Sequence, residues 1–315
     1  MYICNMKPSI SVIVPVLNRE HLIKRCLDSI LNQTVSPDEI IIVDNGSTDG
    51  TKDVAKEWIK KNSDKKIPLI LIDEPLRGVC AARQKGLETA KSEFLLFFDS
   101  DDIMKPDLIR LSKETLVQKP ETDVLCWPVE IHSLQGKVRK PPFRLDNPME
   151  NHLIHCLLRT HGYMARKNFI ENAGGWKKKL PVWNDFELGF RLLLNNPTIT
   201  GLQMPLVDVM AQEDSITGKS FSSKQGLWER SLEEMRKENC RQHHPEQKRI
   251  ARIIDYRAII LASQYYKEGN KKAGASLAKQ TLAKSNGINK MVLHLVYLYT
   301  GLGGRGAWRM IRWIY

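Results

Sequence analysis

The chain has no apolar run approaching the ~20 residues that span a bilayer, and none of its six cysteines forms a CxxC pair. Cys4, Cys26, Cys80, Cys126, Cys156 and Cys240 are scattered, and no signal peptide is expected before them. That argues against a disulfide framework or a zinc site and predicts reduced, mostly buried thiols in a cytosolic protein. Neither GxGxxG nor the P-loop pattern GxxxxGKS/T occurs, so the usual dinucleotide and NTPase loops are excluded. The eight histidines show no metal-ligand spacing. Acidic residues are scarce only toward the end of the chain. Residues 1–218 carry 29 Lys+Arg against 29 Asp+Glu, whereas residues 219–315 carry 19 against 7, which accounts for the whole net charge of +12. A neutral front and a basic rear imply different duties.

What is present is an ordinary globular composition, 42% hydrophobic, in a chain long enough for about two domains. Short apolar runs alternate with amphipathic stretches. Strands are predicted over 10–16, 40–43, 67–72, 94–98 and 124–129, and helices over 19–33, 51–61, 78–90 and 106–118. Continuous apolar strands of this kind suit a parallel sheet covered on both faces. The β-α-β rhythm predicts a doubly wound, mostly parallel α/β sheet with helices on both faces and ligands at the carboxyl ends of its strands. Beyond it, 148–160, 166–173 and 184–195 read as helical, Gly174-Gly175-Trp176 as a break, and 199–209 as extended. From about residue 224 the spacing is helical throughout, with a turn at Glu268-Gly269-Asn270. The expected division is a catalytic domain over 1–218 and a basic α-helical region over 219–315.

The densest chemistry lies where Phe94 to Phe98 runs into Asp99-Ser100-Asp101-Asp102. Three carboxylates at the end of a buried strand suit Mg2+ or Mn2+, which are bound by few carboxylates and complete their shell with water and phosphate oxygens. A solvated acidic turn capping the next helix is the plainer alternative. Asp44, before Asn45-Gly46-Ser47-Thr48-Asp49-Gly50, is a candidate ligand or a turn residue on the same sheet edge.

Four segments, 11–20, 42–51, 77–86 and 97–102, together with Trp183-Asn184-Asp185-Phe186-Glu187, resemble the family 2 glycosyltransferases of the GT-A fold. The resemblance is specific over about the first hundred residues, and the helical rear is covered poorly. It implies that Pro15, Asn18 and Glu20 frame the nucleoside and that Asp44 accepts a hydrogen bond from the base. It places Arg83 at the nucleotide, Asp99 near the ribose, Asp101 on the metal and Asp185 as general base. Leu17, Asn45, Leu76, Gln84, Asn184 and Gln212 depart from the family's usual residues, and Gln212 removes a frequent histidine. Asp185 is alternatively a carboxylate favoured by a helix N-terminus. Glu187 and Arg191, at i and i+4, read as a local ion pair. His161 could touch the acceptor or be structural.

The implied activity is metal-dependent, inverting transfer from a nucleotide diphosphate sugar, UDP-linked, to a glycan or lipid-linked acceptor in surface polysaccharide synthesis. The alternation of Trp, Tyr, aliphatic and Arg residues over 291–315 suits a peripheral helix on an anionic, cytoplasmic membrane face, or else a packed hairpin with a solvated basic side. Rival functions are a sugar-nucleotide nucleotidyltransferase, which lacks its glycine-rich loop here, and a basic nucleic-acid-binding protein, for which no motif is present.

Overall fold

The computed structural model describes residues 7–212, 220–242, 244–304, 306–307 and 310–311. Cys4, His243, the expected boundary at 218 and Trp308, Arg309 and 312–315 of the aromatic tail lie outside them. The described chain forms two compact units. The first comprises residues up to 145, Leu158–Pro181 and the stretch from 195 to 212; the second comprises Asp146–Leu157, Val182–Leu194 and the described residues from 220 onward.

The first unit begins with β1 (Ile10–Val16), α1 (Ile23–Leu31), β2 (Glu39–Asp44), α2 (Thr51–Lys61), β3 (Leu69–Asp73), α3 (Val79–Thr89) and β4 (Phe94–Phe97). It continues with β5 (Ile103–Met104), α4 (Leu108–Gln118), β6 (Val124–Cys126), β7 (Val129–His132) and β8 (Val138–Arg139). After α5 (Pro148–His155), which belongs to the second unit, come β9 (Tyr163–Arg166) and α6 (Lys167–Asn172). After α7 (Asn184–Leu194), again in the second unit, β10 (Ile199–Gly201) and β11 (Val207–Met210) complete the first.

A seven-stranded sheet runs β10-β6-β9-β4-β1-β2-β3. Only β9 is antiparallel to its neighbours. All residues of β1 and β2 are buried, as their unbroken apolar runs require. Helix α1 lays Cys26, Leu27 and Ile30 into the core formed with Val12, Val14, Ile40, Ile42 and Leu96. Helix α3 approaches β1 so closely that a Cβ on Gly86 would lie 2.2 Å from Ile13 Cγ2. Pro15 is tolerated in a central strand because the pairing of β1 with β4 ends at Ile13, so its missing N–H interrupts no ladder on that side.

Two expected elements each prove to be two. The strand expected over 124–129 breaks at Pro128, with β6 in the large sheet and β7 in a second sheet of order β5-β11-β7-β8. The extended stretch 199–209 divides in the same way about Pro205, into β10 and β11. Proline cannot donate to a ladder, so each marks where the chain leaves one sheet for the other. The helix expected over 148–160 stops at residue 155, because Cys156 takes a left-handed conformation, φ +55°.

The second unit adds α8 (Leu227–Arg241), α9 (Gln247–Lys267), α10 (Lys271–Lys284) and α11 (Gly287–Gly301). Helix α9 is its axis, packed by α10, α11, α8 and α5. The turn between α9 and α10 falls at Glu268–Asn270, with Gly269 at φ +88° and Asn270 capping α10 through Ala273 N–H at 3.2 Å. Among the described residues no helix is long and apolar enough to cross a membrane.

Candidate active site

Parallel strands bring their carboxyl ends to one edge of the sheet, so the residues that follow β1, β2 and β4 meet there. Asn18, just past β1, has φ +52°, a conformation that asparagine tolerates better than most residues. Its N–H donates to Ser47 Oγ at 3.0 Å and its Oδ1 accepts from Thr48 N–H at 2.8 Å. Glu20 accepts from Gly50 N–H at 3.1 Å. The first loop is thereby laced to the one after β2. Asn45 does the same for the next segment, donating to Glu74 O and Leu76 O and accepting from Gly78 N–H at 2.7 Å. Its amide fixes the entry into α3, and hence Arg83.

Asp44 is 3% exposed. Its Oδ2 accepts from Gly46 and Ser47 N–H at 3.3 and 3.2 Å, but Oδ1 is buried with no hydrogen-bond partner. A buried carboxylate oxygen is costly to leave unsatisfied. This one is a vacant acceptor beside the edge where the other candidate residues gather.

Arg83 donates to Asp99 Oδ1 at 2.7 Å and lies over the Trp176 ring, 4.7 Å from its centre. Trp176 meets Phe97 edge-on and donates its backbone N–H to Gln84 Oε1 at 2.9 Å. The Gly-Gly-Trp break is therefore a shelf for Arg83, a role its composition gave no means of reading. Burial alone would raise the Asp99 carboxyl, but Arg83 and His161 outweigh it and hold Asp99 well below the usual carboxylate range.

The acidic turn has a partner that sequence reasoning left undecided. His161 Nδ1 lies 3.0 Å from Asp102 Oδ2 and 3.7 Å from Asp99 Oδ2. Burial disfavours its imidazolium, yet Asp102 and Asp99 push its pKa up to about 9. Asp102 is 2% exposed, accepts from Met210 N–H at 2.9 Å, and has its pKa raised by burial against the pull of His161. Asp101 is more open and lies 3.8 Å from Arg19 Nε. Burial, then Asp99 and Asp102, push its carboxyl up to about 7.

These residues fit a hard divalent cation. Three carboxylates share one turn, one of them strained by its like-charged neighbours; among the described residues Asp99, Asp102 and His161, a group without Asp101, have potential ligand atoms within 4.8 Å of one another, the imidazole becoming a ligand only when its proton is displaced. A second acidic group, Glu130, His132 and Asp208, is already paired with two lysines, Lys105 lying 2.5 Å from Glu130 and 3.4 Å from Asp208 and Lys140 2.8 Å from Glu130.

Pro15, Asn18, Glu20, Asp44, Arg83, Asp99 and Asp101 all belong to the first unit, and Asp185 to the second. Asp185 is half-buried at the start of α7, with Oδ1 accepting from Phe186 N–H at 2.8 Å. Glu187 and Arg191 form their i, i+4 pair through two contacts of 2.8 Å, fully buried rather than at the surface.

The sequence profile of Glycosyl transferase family 2 matches residues 11–172, just over half of the chain, and the protein belongs to that family. Bacillus subtilis (strain 168) EpsH is 43% identical over 120 residues, 38% of this chain and 33% of EpsH. The poly(ribitol-phosphate) beta-glucosyltransferase of Bacillus spizizenii is 40% identical over 144 residues, 44% of this chain and 22% of that protein. The chain thus spans one third or less of these two relatives. Among solved structures, S. aureus TarS 1–349 in complex with UDP-GlcNAc gives a TM-score of 0.69 at 17% identity, over 98% of this chain and 91% of that one. The mannosyltransferase PcManGT from Pyrobaculum calidifontis, solved with GDP-Man and Mn2+, gives 0.60 at 17% identity, over 97% and 83%. The fold is of the GT-A type, with a C-terminal helical region.

Proposed function

We propose that the protein transfers a sugar from a nucleotide diphosphate sugar, UDP-linked, to a hydroxyl of a glycan or lipid-linked acceptor, with inversion, in the synthesis of a surface polysaccharide. The observation that carries this reading is the buried, unpartnered Asp44 Oδ1 on the same sheet edge as the acidic turn. It is an acceptor suited to the N–H of a uracil. Pro15, Asn18 and Glu20 frame the nucleoside, and Asp99, oriented by Arg83, faces the ribose. Asp101 holds Mg2+ or Mn2+, with Asp99, Asp102 and His161 as its neighbours; when bound, the cation neutralises charge developing on the leaving diphosphate. Asp185 takes the proton of the attacking hydroxyl. Attack opposite the leaving group inverts the anomeric carbon. The catalytic domain on this reading is 1–218, and 219–315 is the basic α-helical C-terminal region.

Calorimetry of the protein with UDP and Mn2+ tests the donor site. Heat is expected, and Asp44→Ala is expected to weaken UDP roughly 10- to 100-fold, the worth of a hydrogen bond to a charged acceptor. No heat from the wild type overturns the reading. A transfer product that keeps the donor's anomeric configuration overturns the inversion.

The rear of the chain supports contact with an anionic membrane surface. After Glu268 there is no acidic residue, while eight Lys and Arg follow. Ile288, Met291, Leu295 and Leu298 of α11, with Leu302 just beyond at 90% exposure, form an exposed apolar stripe at helical spacing. Vesicles of phosphatidylglycerol are expected to sediment the protein at low salt and to release it as salt rises. Leu295→Asp is expected to weaken this binding at least several-fold. Equal sedimentation of the variant, or none of the wild type, speaks against this surface.

A further inference from the structure

Within the second unit Arg191, Arg236, Arg241 and Arg249 each face a carboxylate, respectively Glu187, Asp255, Glu238 and Glu150. Arg257, in the middle of α9, faces no carboxylate among the described residues. Its neighbours one helical turn away are Ile253, Ile254, Ile260 and Leu261, so the helix supplies no partner. Its guanidinium carbon lies 5.2 Å from the centre of the Trp183 ring and 5.3 Å from that of Phe186. Its Nε–H is buried without an acceptor among the described residues. Burial pushes its pKa below the ordinary arginine range, with only the Cys156 thiol acting the other way. A buried cation without a counter-ion is unfavourable, and ring faces compensate it only in part.

The shelf under this cation is itself held against its preference. Trp183 has φ +48°, a region that bulky side chains avoid. Contacts with the rings of Phe186, Phe221 and Trp228, at 5.7, 6.4 and 5.0 Å between centres, keep it there. Such strain persists where the surroundings over-determine it, commonly at ligand clamps. Trp183 and Phe186 bracket Asn184-Asp185 in sequence, so the rings that meet the cation flank the first turn of α7, which carries Asp185. On the transfer reading Asp185 meets the acceptor hydroxyl, so an anionic group carried by the acceptor is the candidate partner for this cation.

We propose that Arg257, shelved on Trp183 and Phe186, receives an oxyanion carried by the acceptor, a phosphate or a carboxylate, and so selects anionic acceptors. The inference rests on the reading of Asp185 as the base that meets the acceptor. A guanidinium keeps its N–H groups in one plane for two-point contact with an oxyanion, which an ammonium does not offer.

The full chain, saturated with UDP and Mn2+ so that the diphosphate site is filled, is titrated with sn-glycerol 3-phosphate, glucuronate and uncharged glycerol. At least one anion is expected to bind at least tenfold more tightly than glycerol, and the better of the two identifies the phosphate or the carboxylate. Arg257→Gln is expected to abolish that preference while leaving UDP affinity unchanged. If the glutamine variant fails to fold, Arg257→Lys, which keeps the charge but not the planar fork, is expected to lose several-fold in anion affinity. Wild-type protein that binds the anions no better than glycerol overturns the proposal. So does a preference that survives either variant. Absence of UDP binding is a separate failure, that of the transferase reading, and the anion titration is read with or without it.

Discussion

Replacing Asp101 with asparagine is expected to lower turnover at least 10³-fold and, in the metal-free protein at pH 8, to raise stability. The first effect follows if this carboxylate anchors the cation. Losing a Lewis acid that acts on the leaving group forfeits several kcal/mol of transition-state stabilisation, and each 1.36 kcal/mol is tenfold in rate. The second follows from the acidic turn. Asp101 holds its proton up to about 7, against an ordinary 3.8, because of burial and the charges of Asp99 and Asp102. The folded state thus binds that proton more tightly than the unfolded state does. Its contribution is present at low pH and is lost as pH rises from near 4 through 7.

At full strength this displacement corresponds to roughly 4 kcal/mol, and water reaching a side chain 21% exposed reduces it to on the order of 2 kcal/mol. His161, pushed up to about 9, adds a loss of the same sign between about pH 6.5 and 9. Thermal unfolding from pH 5 to 8, with and without Mn2+, checks all of this. The metal-free wild type should lose stability with rising pH, Mn2+ should restore it most at the alkaline end, and the asparagine variant should show a weaker pH slope and little response to Mn2+. A variant with unchanged turnover, or a wild type indifferent to Mn2+ at pH 8, overturns the assignment.

Asp185→Asn is expected to reduce kcat by about 10²–10⁴, the usual contribution of a general base, with UDP affinity unaltered. Asparagine keeps an oxygen able to accept the Phe186 N–H as Asp185 Oδ1 does, so the start of α7 should survive and thermal stability should move little. The comparison to make is single-turnover transfer against UDP binding in the same preparation. Transfer at the wild-type rate would remove Asp185 from the chemistry, whereas loss of both transfer and UDP binding would indicate a structural role.

The strands were legible because their burial is written in consecutive residues. Ile10 to Val16 and Ile40 to Val43 have no polar face, and only a sheet covered on both sides accommodates that. The carboxylates at the ends of β2 and β4 were equally plain, since a parallel sheet sends such ends to one edge. Sheet membership was not legible at Pro128 and Pro205. There an apolar extended run continues in sequence while its hydrogen-bond partners change. Nor was the antiparallel entry of β9 between β4 and β6, because strand order depends on which ladders close and not on local spacing.

His161 shows the same limit at the site. Its neighbours in sequence are Thr160 and Gly162, and nothing there identifies Asp99 and Asp102, some sixty residues earlier, as its partners. Trp176 and Arg257 are similar cases, since each acquires its meaning from rings or charges supplied by other elements. The sequence alone determined the buried strands, the polar edge and the excess of basic charge at the rear, since these depend on periodicity and composition along the chain. Only the tertiary structure decided which carboxylates share an imidazole, which acceptor stays unpaired among the described residues, and which arginine meets aromatic rings instead of a carboxylate among them, because charge and hydrogen-bond energies depend on distance in space.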